Sequence, residues 1–215
     1  CWCFSYCSGL VPPAAHQRRC HPAASLSRAA WFAAPGRRPT RVPEIALRGL
    51  ATVRFAELPH ATEINEALLA AFAREKDGAD VKRTHMFHGR FENIYIPAER
   101  LPEIAPVSAF ARDVAARVLR RADLRSGFWF NAMPPGHRTT RHSHEENDEA
   151  LSAVYYVTCP ADSGRLILHD ESAQVLITPQ PGLLVVFPPD LPHEVEENRS
   201  AAMRLSIAFN FGPAN

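Results

Sequence analysis

From residue 127 onward the chain is cut into short runs rich in β-branched and aromatic residues, at 128–133, 152–157, 165–169, 174–178, 183–187 and 203–211. Turn formers close them: Pro134-Pro135-Gly136, Ala161-Asp162-Ser163-Gly164, Pro179-Gln180-Pro181-Gly182 and Pro188-Pro189-Asp190. Proline brings no amide donor and glycine no Cβ, so neither a long helix nor a long strand carries across these positions. Short strands at even spacing predict a β-sandwich or small barrel. The last run also shows how its residues face. Met203, Leu205, Ile207, Phe209 and Phe211 alternate with Arg204, Ser206, Ala208 and Asn210, so one side is apolar and the other carries an arginine and a serine two apart.

Upstream the hydrophobic period changes. After a short strand within 46–58, Ile64, Leu68, Leu69 and Phe72 predict a helix capped by Thr62 and ended by Asp77-Gly78. Val107, Phe110, Ala111, Val114, Ala115, Val118 and Leu119 form the apolar stripe of a second helix. Between them, 84–96 is polar and aromatic without a period and reads as irregular. Helices first and strands afterwards predict a mainly β fold whose N-terminal helices buttress one sheet. No run of eighteen apolar residues is present, so no membrane-spanning helix is expected.

Residues 1–43 differ from the rest. They hold Arg18, Arg19, Arg28, Arg37, Arg38 and Arg41, no acid and no lysine, and four of the five cysteines (Cys1, Cys3, Cys7, Cys20). No period of 3.6 or 2 runs through them. We expect a disordered or non-native extension, with a targeting segment as the alternative that Arg-rich, acid-free composition suggests. The cysteine spacing lacks the paired knuckles of a zinc site. The expected domain is 44–215, with 18 basic and 23 acidic residues. That balance argues against a nucleic acid partner, which selects basic surfaces. Cys159 alone gives no disulfide framework, which suits a reducing, cytoplasmic location.

Histidine carries the chemistry. His142 and His144 stand two apart, so on a strand both imidazoles face one way and can hold one ion. His193 falls at another predicted strand end and can supply a third nitrogen. Imidazoles suit iron, zinc, copper and nickel, so the ligand type leaves the metal open. Eleven residues after His193, Arg204 and Ser206 share the non-apolar side of their strand, and a guanidinium fork with a hydroxyl suits a carboxylate. His85, His88, Arg90, Glu92 and Asn93 precede the β-region and either line its mouth or belong to a loop.

The ordered series Asn131, Gly136, His142-x-His144, Ser152-x-x-Tyr155-Tyr156, Phe187-Pro188-x-x-Leu191-x-His193-x-Val195 and Arg204-x-Ser206-x-x-Phe209-Asn210 resembles the 2-oxoglutarate- and iron(II)-dependent oxygenases. More narrowly it is similar to a small bacterial group among them, over about residues 84–213. The resemblance implies a double-stranded β-helix, the cupin-like jelly roll, with the metal at its open mouth. His142 and His193 would be metal ligands, and Arg204 with Ser206 would hold the far carboxylate of 2-oxoglutarate. Asn131 and Tyr156 would hydrogen-bond the same cosubstrate.

The implied cofactors are Fe(II), 2-oxoglutarate and O₂. Implied activity is a dioxygenase that couples oxidative decarboxylation of 2-oxoglutarate to oxidation of a small molecule, peptide or protein. One position departs from the family pattern: His144 stands where Asp or Glu is usual. Either His142, His144 and His193 hold the ion, or the register moves by two and the set is His144, Glu146 and His193. A three-histidine site also fits a cupin-like dioxygenase or isomerase without 2-oxoglutarate, or a non-enzymatic metal-binding jelly roll.

Overall fold

The computed structural model describes residues 49–87, 90–144, 148–171 and 173–214. The expected extension at 1–43, His88, Glu145 and Glu146 lie outside them. In chain order the elements are β1 (Arg54–Glu57), α1 (Ala61–Glu75), β2 (Lys82–Phe87), β3 (Arg90–Tyr95), α2 (Ala105–Leu119), β4 (Leu124–Met133), β5 (Thr139–His142), β6 (Leu151–Thr158), β7 (Leu166–His169), β8 (Gln174–Ile177), β9 (Leu183–Phe187), β10 (His193–Val195) and β11 (Arg204–Pro213).

The strands form two antiparallel sheets. The larger has the order β1-β9-β6-β11-β4-β3-β2 and the smaller β5-β10-β7-β8. From β4 onward the chain passes back and forth between them: β4 large, β5 small, β6 large, β7 and β8 small, β9 large, β10 small, β11 large. That is the winding of a double-stranded β-helix, and it bears out the expected fold with helices against one sheet.

Alternation along β11 decides where the core sits. Leu205, Ile207, Phe209 and Phe211 are buried against the helices, together with Leu68 and Phe72 of α1 and Val107, Ala111, Val114 and Ala115 of α2. A second cluster fills the space between the sheets. There Tyr156, Val185 and Phe187 of the large sheet meet Leu166, Leu168 and Ile177 of the small one. The two tyrosines of β6 divide between these layers, Tyr155 toward the helices and Tyr156 toward the small sheet.

Two local expectations are corrected. Helix α1 starts at Ala61, after His60 turns the chain with a left-handed φ of 55°, so Thr62 already lies inside the first turn and caps nothing. The segment 84–96 is not irregular: it is a hairpin of β2 and β3 that extends the large sheet, with Thr84 opposite Asn93 and Met86 opposite Phe91. Its alternation was hidden because polar residues occupy both faces. Among the described residues no helix is long and apolar enough to cross a membrane.

Candidate metal centre

Strands β5 and β10 run side by side in the small sheet, and their register sets His142 directly opposite His193. Two residues beyond β5, the amide of His144 donates to the Pro189 carbonyl at 2.8 Å, which ties that segment to the loop leading into β10. The three rings gather as a result. Their centroids are 4.3 Å apart for His142 and His193, 5.0 Å for His142 and His144, and 5.2 Å for His144 and His193. One nitrogen from each lies within 4.8 Å of the others. The alternative set through Glu146 falls outside the described residues.

Second contacts fix which nitrogen faces inward. His142 Nδ1 lies 2.8 Å from the Thr140 carbonyl and His193 Nδ1 3.0 Å from the Leu191 carbonyl. A carbonyl only accepts, so each Nδ1 carries a proton and Nε2 is the nitrogen left to offer a lone pair to a metal. Trp129 abuts His144 edge-on at 5.9 Å, and Phe187 abuts His193 at 4.9 Å. Burial, then the neighbouring His142 and His85, pushes His144 down to about 4. Burial, then His142, pushes His193 down to about 3. Both are neutral near pH 7, as a metal ligand must be. Three convergent imidazoles fit a divalent first-row ion such as iron.

The cosubstrate candidates form a rung across the large sheet. Tyr156 pairs with Ser206, Ser206 with Asn131, and Asn131 with Asn93, so all four share the face toward the small sheet. Arg204 lies on the same face of β11 and is 2% exposed. Its Nη1 donates to the Gly164 carbonyl at 3.1 Å, and its guanidinium stands 5.7 Å from the centre of the Tyr156 ring. Arg204 Nε, the Tyr156 hydroxyl and Asn131 Oδ1 are buried with no hydrogen-bond partner among the described residues. Burial raises the Tyr156 hydroxyl, so it stays a donor. The unmet donors of Arg204 and Tyr156, with a cation and no acid against them among the described residues, fit a carboxylate, whereas Asn131 Oδ1 calls for a donor.

Three features were missed in the sequence. Gly164, at φ +87°, supplies the carbonyl that anchors Arg204, and a Cβ there would run into the Glu196 backbone. Trp129 was not singled out as a wall of the site. His85 has a left-handed φ of 56°. In a regular strand it would face away from Thr84. Instead its Nδ1 lies 2.9 Å from Thr84 Oγ1 and 3.0 Å from Asn93 Nδ2, which brings the ring round to the face of the rung. Arg90 donates to the Ala132 carbonyl at 2.7 Å and stands 3.5 Å from Glu92, close enough for attraction but not aligned as a hydrogen bond.

A family model described as "Putative 2OG-Fe(II) oxygenase" matches residues 169–210, the segment that holds His193, Arg204 and Ser206. Comparison with curated proteins gives no match. Among solved structures, a prolyl-4-hydroxylase from Pseudomonas putida is 21% identical, with 75% of this chain and 92% of that chain covered and a TM-score of 0.59. A prolyl hydroxylase from Trichoplax adhaerens, in complex with a peptide fragment of the hypoxia inducible factor oxygen degradation domain, is 16% identical over 76% of this chain and 84% of that one, at a TM-score of 0.62. EvdO2 from Micromonospora carbonacea var. aurantiaca, complexed with 2-oxoglutarate, is 17% identical over 74% and 85%, at 0.56. At these identities the likeness carries the fold, the double-stranded β-helix. Neither the cupin-like activity without 2-oxoglutarate nor the non-enzymatic jelly roll is favoured by these matches. The chain thus shares the fold of these enzymes, and over residues 169–210, which hold His193, Arg204 and Ser206, it is similar to the 2-oxoglutarate- and Fe(II)-dependent oxygenases.

Proposed function

We propose that His142, His144 and His193 hold the iron of this oxygenase and that Arg204, Ser206, Asn131 and Tyr156 bind 2-oxoglutarate beside it. One observation carries the second half of this reading: Arg204 is a fully buried cation without an acidic partner among the described residues. An uncompensated buried charge costs several kcal/mol, so the complement is to come with a ligand. Iron supplies the activation of O₂ and the oxidative decarboxylation of 2-oxoglutarate that such enzymes couple to substrate oxidation.

The chain's own residues do the rest. Thr140 and Leu191 hold two imidazoles in the tautomer that presents Nε2. Gly164 fixes the guanidinium, whose free edge is left for a carboxylate. The Tyr156 hydroxyl and the Ser206 side chain stand on adjacent strands, where they can donate to the same group. Trp129 packs edge-on against His144 and Phe187 against His193, which holds those two rings in place. The substrate is read as a small molecule or a peptide or protein segment, and the two prolyl hydroxylases with this fold support that range.

Anaerobic addition of Fe(II) and then 2-oxoglutarate should give the weak visible band of the chelate, with slow succinate release in air. Arg204→Lys keeps the charge but loses the fork, so 2-oxoglutarate affinity should fall about tenfold or more with metal affinity unchanged. Equal 2-oxoglutarate affinity in the two proteins would remove Arg204 from the role.

A further inference from the structure

The groups that converge here are imidazoles, and among the described residues two of them are oriented by uncharged groups. Thr140 and Leu191 offer carbonyl oxygens, where a metal-bound histidine often leans on a carboxylate. The other side of the cavity repeats the pattern. Arg204 rests on the Gly164 carbonyl and beside the Tyr156 ring. Two acids on the strands nearby are engaged elsewhere: Glu92 lies against Arg90, and Glu194, next to His193 in the chain, turns to His169 at 2.9 Å. A divalent ion in this set keeps both charges, and the guanidinium adds a third. Counted over the described residues, doubly negative 2-oxoglutarate leaves one positive charge over, beside Trp129, Phe187 and Tyr156. A carboxylate at position 144 would leave none. His193 and Arg204 are buried while His142 is open to solvent, so a net charge here draws a counter-charge from that open side.

We propose that the primary substrate is an anion, a compound presenting a free carboxylate or an equivalent singly charged group beside the ion, and that His144 sets this preference. The proposal rests on the three-imidazole reading of the site and extends it to substrate class.

The test uses the full chain loaded with cobalt(II) and saturated with 2-oxoglutarate, titrated with azide as a monoanion probe and followed in the visible bands of the metal. Azide should bind the wild type at least about tenfold more tightly than His144→Asp. His144→Glu serves as the second variant where His144→Asp fails to hold cobalt. In parallel, succinate release by the iron-loaded wild type is compared for amino and hydroxy acids against their methyl esters, and stimulation should follow the free acids.

Azide affinities within twofold across the three proteins overturn the proposal, as do esters that stimulate as strongly as acids. A tenfold gain in azide affinity on Glu145→Gln or Glu146→Gln overturns it too, because an acidic neighbour would then already cancel the charge. Failure of the underlying reading looks different: 2-oxoglutarate gives no chelate band, and azide titrated against the cobalt protein alone still reports the charge.

Discussion

Tyr155 and Tyr156 are chain neighbours on one strand, both fully buried, and they meet opposite fates. Facing the helices, Tyr155 donates to Asn65 Oδ1 at 2.8 Å. Facing the small sheet, Tyr156 has a hydroxyl with no partner among the described residues. The same division runs through β11, where Leu205, Ile207, Phe209 and Phe211 pack against the helices while Arg204 and Ser206 stand on the other face. On the helix side the chain supplies the tyrosine hydroxyl with its acceptor, although Asn65 Nδ2 is left buried without a partner among the described residues. On the other it leaves a cation, a hydroxyl and an amide oxygen for something else to complete. The helix-backed layer holds the fold, and the layer between the sheets holds a site.

The largest expected effects set a core phenylalanine against the buried arginine. Phe130 is 0% exposed and its ring lies 4.9 Å from Phe72, so Phe130→Ala should lower stability by about 3–5 kcal/mol in urea unfolding. Arg204→Met should do the reverse. It removes a buried charge without an acidic partner, so the metal-free protein should be unchanged or up to ~4 kcal/mol more stable while 2-oxoglutarate binding is lost. Should Arg204→Met destabilise as much as Phe130→Ala, its bond to Gly164 would be a structural one and the two layers would not differ in kind.

Protonation sharpens the contrast at intermediate size. His144 at about 4 and His193 at about 3 both lie below the ordinary histidine value, chiefly through burial. Between those values and about 6.5 the unfolded chain binds more protons than the folded one, so acid favours unfolding there. The stability of the metal-free protein should therefore be full above about pH 6.5 and decline as the pH falls toward 4 and then 3. The slope approaches ~1.4 kcal/mol per pH unit for each proton taken up. His193→Gln should flatten the curve, because the replacement does not titrate. A decline as steep in His193→Gln as in the wild type would place its origin outside the imidazole cluster.

How much of this could be read in the residues follows the same division. Strands β6, β7, β8, β9 and β11 were legible within a residue or two because each buries an apolar side and ends near a Pro, Gly or Asp, while β4 was legible at its end but begins at Leu124, four residues before the expected run. The gathering of His142, His144 and His193 was legible from residue type and spacing once strands were placed. Strand β10 has three residues, too few for a period, and only its histidine marked it. The β2–β3 hairpin escaped because Thr84, Glu92 and Asn93 put polar groups on both faces, which defeats a reading that equates buried with apolar. His85 reaches the rung through a backbone angle, and no side-chain pattern encodes that. The anchor of Arg204 was invisible for a related reason: it is a backbone carbonyl, and every residue has one.

The smallest effects are the most telling, since they alter one oxygen atom in each layer. Tyr155→Phe leaves Asn65 Oδ1 buried without its donor, so stability should fall by ~1–2 kcal/mol while 2-oxoglutarate affinity stays the same. Tyr156→Phe removes a hydroxyl that has no partner to lose, so the metal-free protein should stay within ~0.5 kcal/mol of wild type or gain slightly. Its cost should appear only with ligand, as a loss of ~1 kcal/mol in 2-oxoglutarate binding, about fivefold. Urea unfolding and 2-oxoglutarate titration on the two variants thus give a crossed pattern, each moving the quantity that the other leaves alone. If Tyr156→Phe lost stability as Tyr155→Phe does and kept its 2-oxoglutarate affinity, the hydroxyl would already be satisfied by the fold. The layer between the sheets would then be a second core, and the buried cation would need another explanation.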